Sequence, residues 1–116
     1  MSIRDIRAND LRELIKNNND KIEIIDVREP DEYDIIRIKG SKLIPMNKLQ
    51  NRLHEIDWSK DVVFICRSGS RSKLMAYRIG AQGKEIKNLR YGIYECYSDG
   101  KGENLEVDKS MIGRYF

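Results

Sequence analysis

The stretch Val62–Ser72 reads Val-Val-Phe-Ile-Cys-Arg-Ser-Gly-Ser-Arg-Ser, and the rest of the chain is organised around it. Its first four residues are apolar and mostly β-branched, which predicts a short strand buried on both faces. Cys66 ends this strand. A loop rich in Ser, Gly and Arg follows, and apolar residues then recur at helical spacing from about Ser70 to Gln82. We therefore expect a strand–loop–helix unit with a cysteine at the end of the strand.

The position of Cys66 favours a reactive thiol. The start of a helix gathers unpaired backbone N–H groups and the positive end of the helix dipole, and Arg67 and Arg71 add positive charge. A thiol in that setting should ionise more readily than a free cysteine, and the thiolate is the nucleophilic form. The alternative is a structural cysteine that closes an apolar strand. We favour the reactive thiol because a structural turn has little use for two arginines, two serines and a glycine.

The composition indicates one globular domain. The chain has 116 residues, of which 40% are hydrophobic and 35% charged, and this fits a single core. The net charge of +3 is scattered along the chain, so we expect no nucleic-acid partner. No apolar run approaches membrane-spanning length and no signal peptide is visible, so we expect no membrane association. Cys66, Cys96 and His54 form no zinc pattern, so we expect no metal, no cofactor and a reduced, cytoplasmic protein.

Alternating strand and helix patterns predict an α/β fold. Strands are expected at residues 3–6, 22–27, 42–45, 62–65 and 85–89. Helical patterns lie between them, including one at 46–56, and another follows at 93–98. This order is typical of a parallel sheet covered by helices on both faces. Ligands of such sheets bind beyond the carboxyl ends of the strands, where Cys66 lies.

Several motifs, taken in order, resemble those of a single-domain rhodanese. They are Ile24–Tyr33 (Ile-Ile-Asp-Val-Arg-Glu-Pro-Asp-Glu-Tyr), Gly40-Ser41, Ile44-Pro45, the Cys66–Ser72 loop, Asn88-Leu89 and Gly92-Ile93. The resemblance implies a three-layer α/β fold with a central parallel sheet flanked by helices. It also implies a rhodanese-like domain at residues 1–102, followed by a C-terminal extension of unknown role at 103–116.

The chain departs from the family pattern in two places. Ile36-Arg37-Ile38 stands where the family commonly has Gly-His-Ile, which leaves the local packing open. Cys96 stands where many members carry a tryptophan. Cys96 could be a second, resolving thiol, but we favour a small buried residue that fills the space of the tryptophan.

The resemblance implies a sulfurtransferase that carries sulfane sulfur as a persulfide on Cys66. The donor would be a small sulfur-containing anion such as thiosulfate, and the acceptor would be cyanide, a thiol or a sulfur-carrier protein. Backbone N–H groups along the loop are expected to ring the thiolate and the persulfide, and the loop residues are Arg67, Ser68, Gly69, Ser70, Arg71 and Ser72. We expect Arg71 to help seat the donor, with Arg67 equally suited to that task or to pairing with a carboxylate. Asp26 and Arg28 are expected to be structural.

Two other functions compete with sulfur transfer. A phosphatase or arsenate reductase uses a similar anion loop, but with five residues between its Cys and its Arg. Four residues separate Cys66 from Arg71, and the smaller ring suits a single sulfur better than a tetrahedral phosphate. The third hypothesis is a non-enzymatic rhodanese-like module that only binds a partner, although such modules often lose the cysteine that this chain keeps.

Overall fold

A computed structural model describes residues 2–116 of the chain. Within those residues the strands are β1 (Ser2–Ile6), β2 (Ile22–Asp26), β3 (Ile36–Ile38), β4 (Lys42–Leu43), β5 (Asp61–Ile65), β6 (Glu85–Leu89) and β7 (Leu105–Val107). The α-helices are α1 (Ala8–Asn18), α2 (Pro30–Ile35), α3 (Ser70–Gly80), α4 (Gly92–Ser98) and α5 (Ile112–Tyr115). Short 3-10 helices lie at Asn19–Lys21 and Leu49–Glu55.

Five strands form the central sheet in the order β1-β6-β5-β2-β4, and all neighbouring pairs are parallel. β5 lies in the middle and supplies side chains to both faces. Val63 and Ile65 pack in one core cluster, whereas Val62, Phe64 and Cys66 pack in the other. Helices α1 and α4 cover the first face, and α3 with the 3-10 helix at 49–55 covers the second. The predicted three-layer α/β fold is confirmed.

A small antiparallel sheet lies beside the first core and was not predicted. β3 pairs with β7, so that Ile36 lies opposite Val107 and Ile38 opposite Leu105. Both isoleucines are buried. The strand β7 and the helix α5 belong to residues 103–116, which the sequence pattern left unassigned. This segment packs on the domain through both elements, because Val107 and Ile112 contact the first core cluster.

The helix predicted at residues 46–56 is wrong in type and length. The structure has a 3-10 helix at Leu49–Glu55 whose backbone leaves helical geometry at Arg52, with φ at −124°. At its end the Ile56 amide donates to the carbonyl of Leu53, three residues earlier, at 3.2 Å, as in a 3-10 helix. A connector needs only to bury Leu49 and Ile56, and a short, tight helix does so without forming regular α-helical turns.

Candidate active site

Cys66 lies directly after β5, at the carboxyl end of the sheet, and its side chain has no exposed surface. The Gly69 amide donates a hydrogen bond to its Sγ atom at 3.1 Å. Helix α3 begins one residue later, at Ser70, so the unpaired amides of its first turn lie next to the sulfur loop. Of the ring of six amides expected from the sequence, the Gly69 amide is the one that the structure shows donating to the sulfur.

Gly69 is required by the backbone of this loop. Its φ is +98°, which side chains rarely allow, and a Cβ atom would lie 1.8 Å from the Arg90 carbonyl oxygen. The loop is therefore pressed against the residues that open α4. The Ile93 amide donates to the Cys66 carbonyl and the Tyr94 amide to the Arg67 carbonyl, both at 3.0 Å. These contacts fix the loop from behind and leave the side chains of Ser68 and Ser70 exposed.

Ser72 does not face the anion site with its side chain. Its hydroxyl is fully buried and donates to Asn88 Oδ1 at 2.6 Å. The Asn88 amide in turn donates to Asp5 Oδ1 at 3.1 Å. The Ser72 hydroxyl therefore ties α3 to β6, so only its backbone N–H is left for the role in anion binding that the sequence predicts. Its backbone N–H remains part of the first turn of α3.

Arg71 forms a two-pronged salt bridge with Glu32. Its Nη1 and Nη2 donate to the two carboxylate oxygens at 2.7 and 2.8 Å. The Tyr115 hydroxyl donates to the same carboxylate at 2.6 Å. Burial alone would raise the pKa of Glu32, but the hydrogen bonds from Arg71, Tyr115 and the Glu29 amide outweigh burial and lower this pKa to about 2. Glu32 is thus a fixed negative charge beside the loop.

Arg67 contacts Tyr115 and Phe116. Its Nη2 donates to the Tyr115 carbonyl at 2.9 Å, and its guanidinium lies 5.2 Å from the Tyr115 ring centre and 5.1 Å from that of Phe116. Such distances are typical of cation–π contacts. Within residues 2–116 no carboxylate forms a salt bridge with Arg67. Among residues 2–116, Arg67 is therefore the loop arginine that has no carboxylate within salt-bridge distance.

Asp26 and Arg28 form a completely buried ion pair. The Arg28 Nη2 donates to Asp26 Oδ2 at 2.8 Å, and the Arg28 backbone amide donates to Asp26 Oδ1 at 3.0 Å. Arg28 Nη1 reaches the Tyr115 hydroxyl at 3.1 Å. A buried charge needs such partners to offset its lost hydration. The structural role expected for both residues is confirmed.

The second cysteine packs on the other face of the sheet from Cys66. Cys96 belongs to α4 and packs in the core cluster on one face of the sheet, whereas Cys66 packs in the cluster on the other face. Burial raises the pKa of the Cys96 thiol to about 11. Such a thiol is neutral at physiological pH and makes a poor nucleophile.

Neither a metal centre nor a membrane span is found in the part of the chain that the structure describes. No group of three or more His, Cys, Asp or Glu side chains there is arranged to hold a metal ion. None of its helices combines the length and apolar character needed to cross a bilayer.

The structure brings the predicted loop residues together and adds two that the sequence did not single out for the site. Glu32, on α2, pairs with Arg71. Tyr115, on α5, contacts Arg67 and donates to Glu32. Glu32 lies within the family-like motif Ile24–Tyr33, so that motif was the available signal. Nothing in the local pattern around Tyr115 indicated its position.

Comparison with known proteins gives a consistent result. The sequence profile of the rhodanese-like domain family matches residues 7–99. YtwF of Bacillus subtilis, which carries a provisional name as a sulfurtransferase, is 31% identical over 104 residues, covering 90% of this chain and all of YtwF. A rhodanese-related protein of known structure from Thermoplasma volcanium is 28% identical with a TM-score of 0.79, covering 90% of this chain and 99% of the other.

Other relatives are longer than the matched region. YrkF of Bacillus subtilis, provisionally named a sulfur carrier protein, is 32% identical over 78 residues, or 66% of this chain and 42% of YrkF. YqhL of the same organism is covered to 58% of its length. The family profile spans most of the chain, and the matched region contains β2, β5, the Cys66 loop and α3. The chain belongs to the rhodanese-like domain family.

Proposed function

We propose that the protein is a sulfurtransferase that moves sulfane sulfur from a small anionic donor to a thiophilic acceptor through a persulfide on Cys66. The observation that carries this proposal is the hydrogen bond from the Gly69 amide to the Cys66 sulfur at the start of α3. A thiolate and a persulfide both carry negative charge on sulfur, and preorganised amide donors stabilise such charge. Relatives named as sulfurtransferases and sulfur carriers support the same chemistry.

In the proposed first step, the Cys66 thiolate attacks the outer sulfur of the donor. With thiosulfate, a sulfur–sulfur bond forms on Cys66 while the donor's sulfur–sulfur bond breaks, and sulfite leaves with the electron pair of the broken bond. In the second step an acceptor thiolate or cyanide attacks the outer sulfur of the persulfide and restores the Cys66 thiolate. When Cys66 reacts as its thiolate, neither step requires a proton transfer at its sulfur.

Access to the sulfur sets a condition on this mechanism. Cys66 is fully buried, so a donor reaches Sγ only when side chains bordering the loop shift. Ser68 and Ser70, on either side of Gly69, are exposed. We propose that Ser68 and Ser70 contribute loop amides to the persulfide. We further propose a reducing, cytoplasmic setting, because both cysteines are free and transfer needs the Cys66 thiol.

The phosphatase alternative is disfavoured by the state of Arg71. Phosphate recognition uses a free arginine fork, which binds two oxygens at once. Here both terminal nitrogens of Arg71 already donate to Glu32. The loop is also one residue shorter between Cys66 and Arg71 than in those enzymes. The complete burial of Cys66 is the observation that favours the binding-module alternative, whereas the retained cysteine and its hydrogen bond from the Gly69 amide favour catalysis.

The proposal is tested by two assays run on the same protein. We expect thiocyanate to form from thiosulfate and cyanide, and p-nitrophenyl phosphate to remain intact. Intact-protein mass spectrometry after incubation with thiosulfate should show one added sulfur atom, which cyanide removes. Phosphate release without thiocyanate formation would replace the proposal with the phosphatase function. Absence of both activities, with no added sulfur, would favour the binding module.

Cys96→Ser is expected to transfer sulfur at close to the parental rate. Cys96 packs on the opposite face of the sheet from Cys66, and burial keeps its thiol protonated. Serine is of similar size, so we expect a modest loss of stability, about 1–2 kcal/mol for the buried hydroxyl. Steady-state rates and a thermal melt measure the two effects separately. A folded Cys96→Ser protein without activity would make Cys96 part of the mechanism.

A further inference from the structure

The carboxylate of Glu32 is saturated with donors next to the Cys66 loop. One oxygen accepts from Arg71 Nη1 at 2.7 Å and from the Glu29 amide at 3.1 Å. The other accepts from Arg71 Nη2 at 2.8 Å and from the Tyr115 hydroxyl at 2.6 Å. The Glu32 side chain is 15% exposed. Both its charge and its position are therefore fixed by its surroundings.

This carboxylate cancels one of the two positive charges that the loop offers to a donor. The hydrogen bonds to Glu32 raise the pKa of Arg71, and the nearby Cys66 sulfur adds to that increase. Arg71 lies in the first turn of α3, which directly follows the Cys66 loop, and Glu32 neutralises its charge there. The net positive charge of the loop is smaller than the sequence Cys-Arg-Ser-Gly-Ser-Arg suggests.

Part of this arrangement comes from outside the region that the family profile matches. Tyr115 lies beyond residue 99, where that match ends. Its ring contacts Arg67, its carbonyl accepts from Arg67 and its hydroxyl donates to Glu32. The segment 105–116 of this chain therefore helps to hold the negative charge of Glu32 at the site.

We propose that Glu32 is a specificity-determining residue whose negative charge disfavours doubly charged sulfur donors relative to singly charged ones. This inference rests on the proposed sulfurtransferase function and deepens it, because it concerns the charge class of the donor. A fixed negative charge repels each charge on the donor by the same amount. Its effect on the free energy of donor binding is therefore twice as large for a dianion as for a monoanion.

Two donors of matched chemistry test this charge rule. Thiosulfate carries two negative charges and releases sulfite, whereas methanethiosulfonate carries one and releases methanesulfinate. In both cases the Cys66 thiolate attacks the outer sulfur, and the leaving group takes the electron pair of the broken sulfur–sulfur bond. The charge on the donor is therefore the main difference that the site encounters before the reaction.

Glu32→Gln removes the charge and keeps an oxygen that can accept from Tyr115. We expect kcat/KM to rise roughly threefold with methanethiosulfonate and, because the change in binding free energy doubles for a dianion, roughly tenfold with thiosulfate. The gain should appear mainly in KM. It should shrink as ionic strength increases, because salt screens the interaction.

Two further variants separate charge from structure. Asp34→Asn makes the same charge change on an exposed residue of α2, two positions from Glu32 and hence on a different face of the helix. It should leave the ratio of the two donors unchanged. Tyr115→Phe removes one hydrogen bond to Glu32 but keeps its charge, so the donor ratio should stay within roughly twofold of the parent. If Glu32 had only a structural role, Glu32→Gln would change the rates with both donors by the same factor, and the donor ratio would not change.

The outcomes distinguish this inference from the proposed function. An equal gain with both donors, or a loss with thiosulfate, would overturn the inference while leaving the sulfurtransferase function intact. If the parent transfers sulfur from neither donor, the proposed function fails. Calorimetric binding of thiosulfate to Cys66→Ser, with and without Glu32→Gln, then tests the charge effect directly.

Should a thermal melt show that Glu32→Gln does not fold, Glu32→Ala removes the same charge without placing a second donor against Arg71.

Discussion

Cys66→Ser is expected to lose sulfur transfer completely, with no detectable thiocyanate from thiosulfate and cyanide. The reaction proceeds through a covalent bond between Cys66 Sγ and the transferred sulfur. A serine hydroxyl is a far weaker nucleophile towards sulfur than a thiolate. Removing a covalent nucleophile typically reduces the rate by several orders of magnitude. The effect should therefore exceed that of any other substitution in the loop.

Intact-protein mass spectrometry measures whether the Cys66→Ser protein acquires sulfur from thiosulfate. After incubation with thiosulfate, the parent and Cys96→Ser should each gain one sulfur atom, and Cys66→Ser should gain none. A thermal melt of Cys66→Ser should resemble that of the parent, since serine occupies nearly the same volume and can still accept from the Gly69 amide. Added sulfur on Cys66→Ser, or sulfur mapped to Cys96, would contradict the mechanism.

The parts of the fold that were predictable from the sequence are those set by local pattern. Val62–Ile65 is apolar at every position, and the structure buries all four side chains in the central strand. Pro30 sits at the first position of α2, as its fixed φ and missing N–H favour. Cys66 follows the strand and precedes α3 because Gly69 permits the left-handed turn between them. Each of these features depends on residues close in sequence.

Features that were missed depend on contacts between distant residues. β3 has only three residues and exists because β7 pairs with it from about 70 positions further along the chain. The bidentate pair joins Arg71 to Glu32 across 39 positions, and Tyr115 reaches Glu32 across 83. Sequence spacing carries no signal for such contacts. Sequence spacing also cannot say which loop amides reach the Cys66 sulfur, because the orientation of each N–H depends on tertiary packing.

The two arginines of the Cys66 loop have partners that the sequence did not predict. From the sequence, Arg71 was expected to bind the donor and Arg67 was equally suited to binding the donor or pairing with a carboxylate. In the structure Arg71 pairs with a carboxylate, and Arg67 keeps its charge while its guanidinium contacts the rings of Tyr115 and Phe116. The residue types of an anion site are readable from a sequence, but its net charge depends on partners that only the fold brings to it.

Val63→Asp is expected to unfold the protein. Val63 is completely buried in β5, where it packs with the core cluster between the sheet and helices α1 and α4. An aspartate there would be charged without a partner or protonated and short of hydrogen bonds, and either state costs several kcal/mol. A domain of this size is stable by only about 5–15 kcal/mol in total. The loss of apolar burial and packing adds to this cost.

Circular dichroism during thermal and urea denaturation measures this effect, and Leu74→Asp is the matched control. Leu74 lies on α3 with 45% of its surface exposed, so the same charge there should cost no more than about 1 kcal/mol. We expect Leu74→Asp to melt within a few degrees of the parent and Val63→Asp to lack a cooperative transition. A Val63→Asp protein that melts like the parent would mean that Val63 does not lie in the core. The central strand would then be misplaced, and with it the position of Cys66 at the end of that strand.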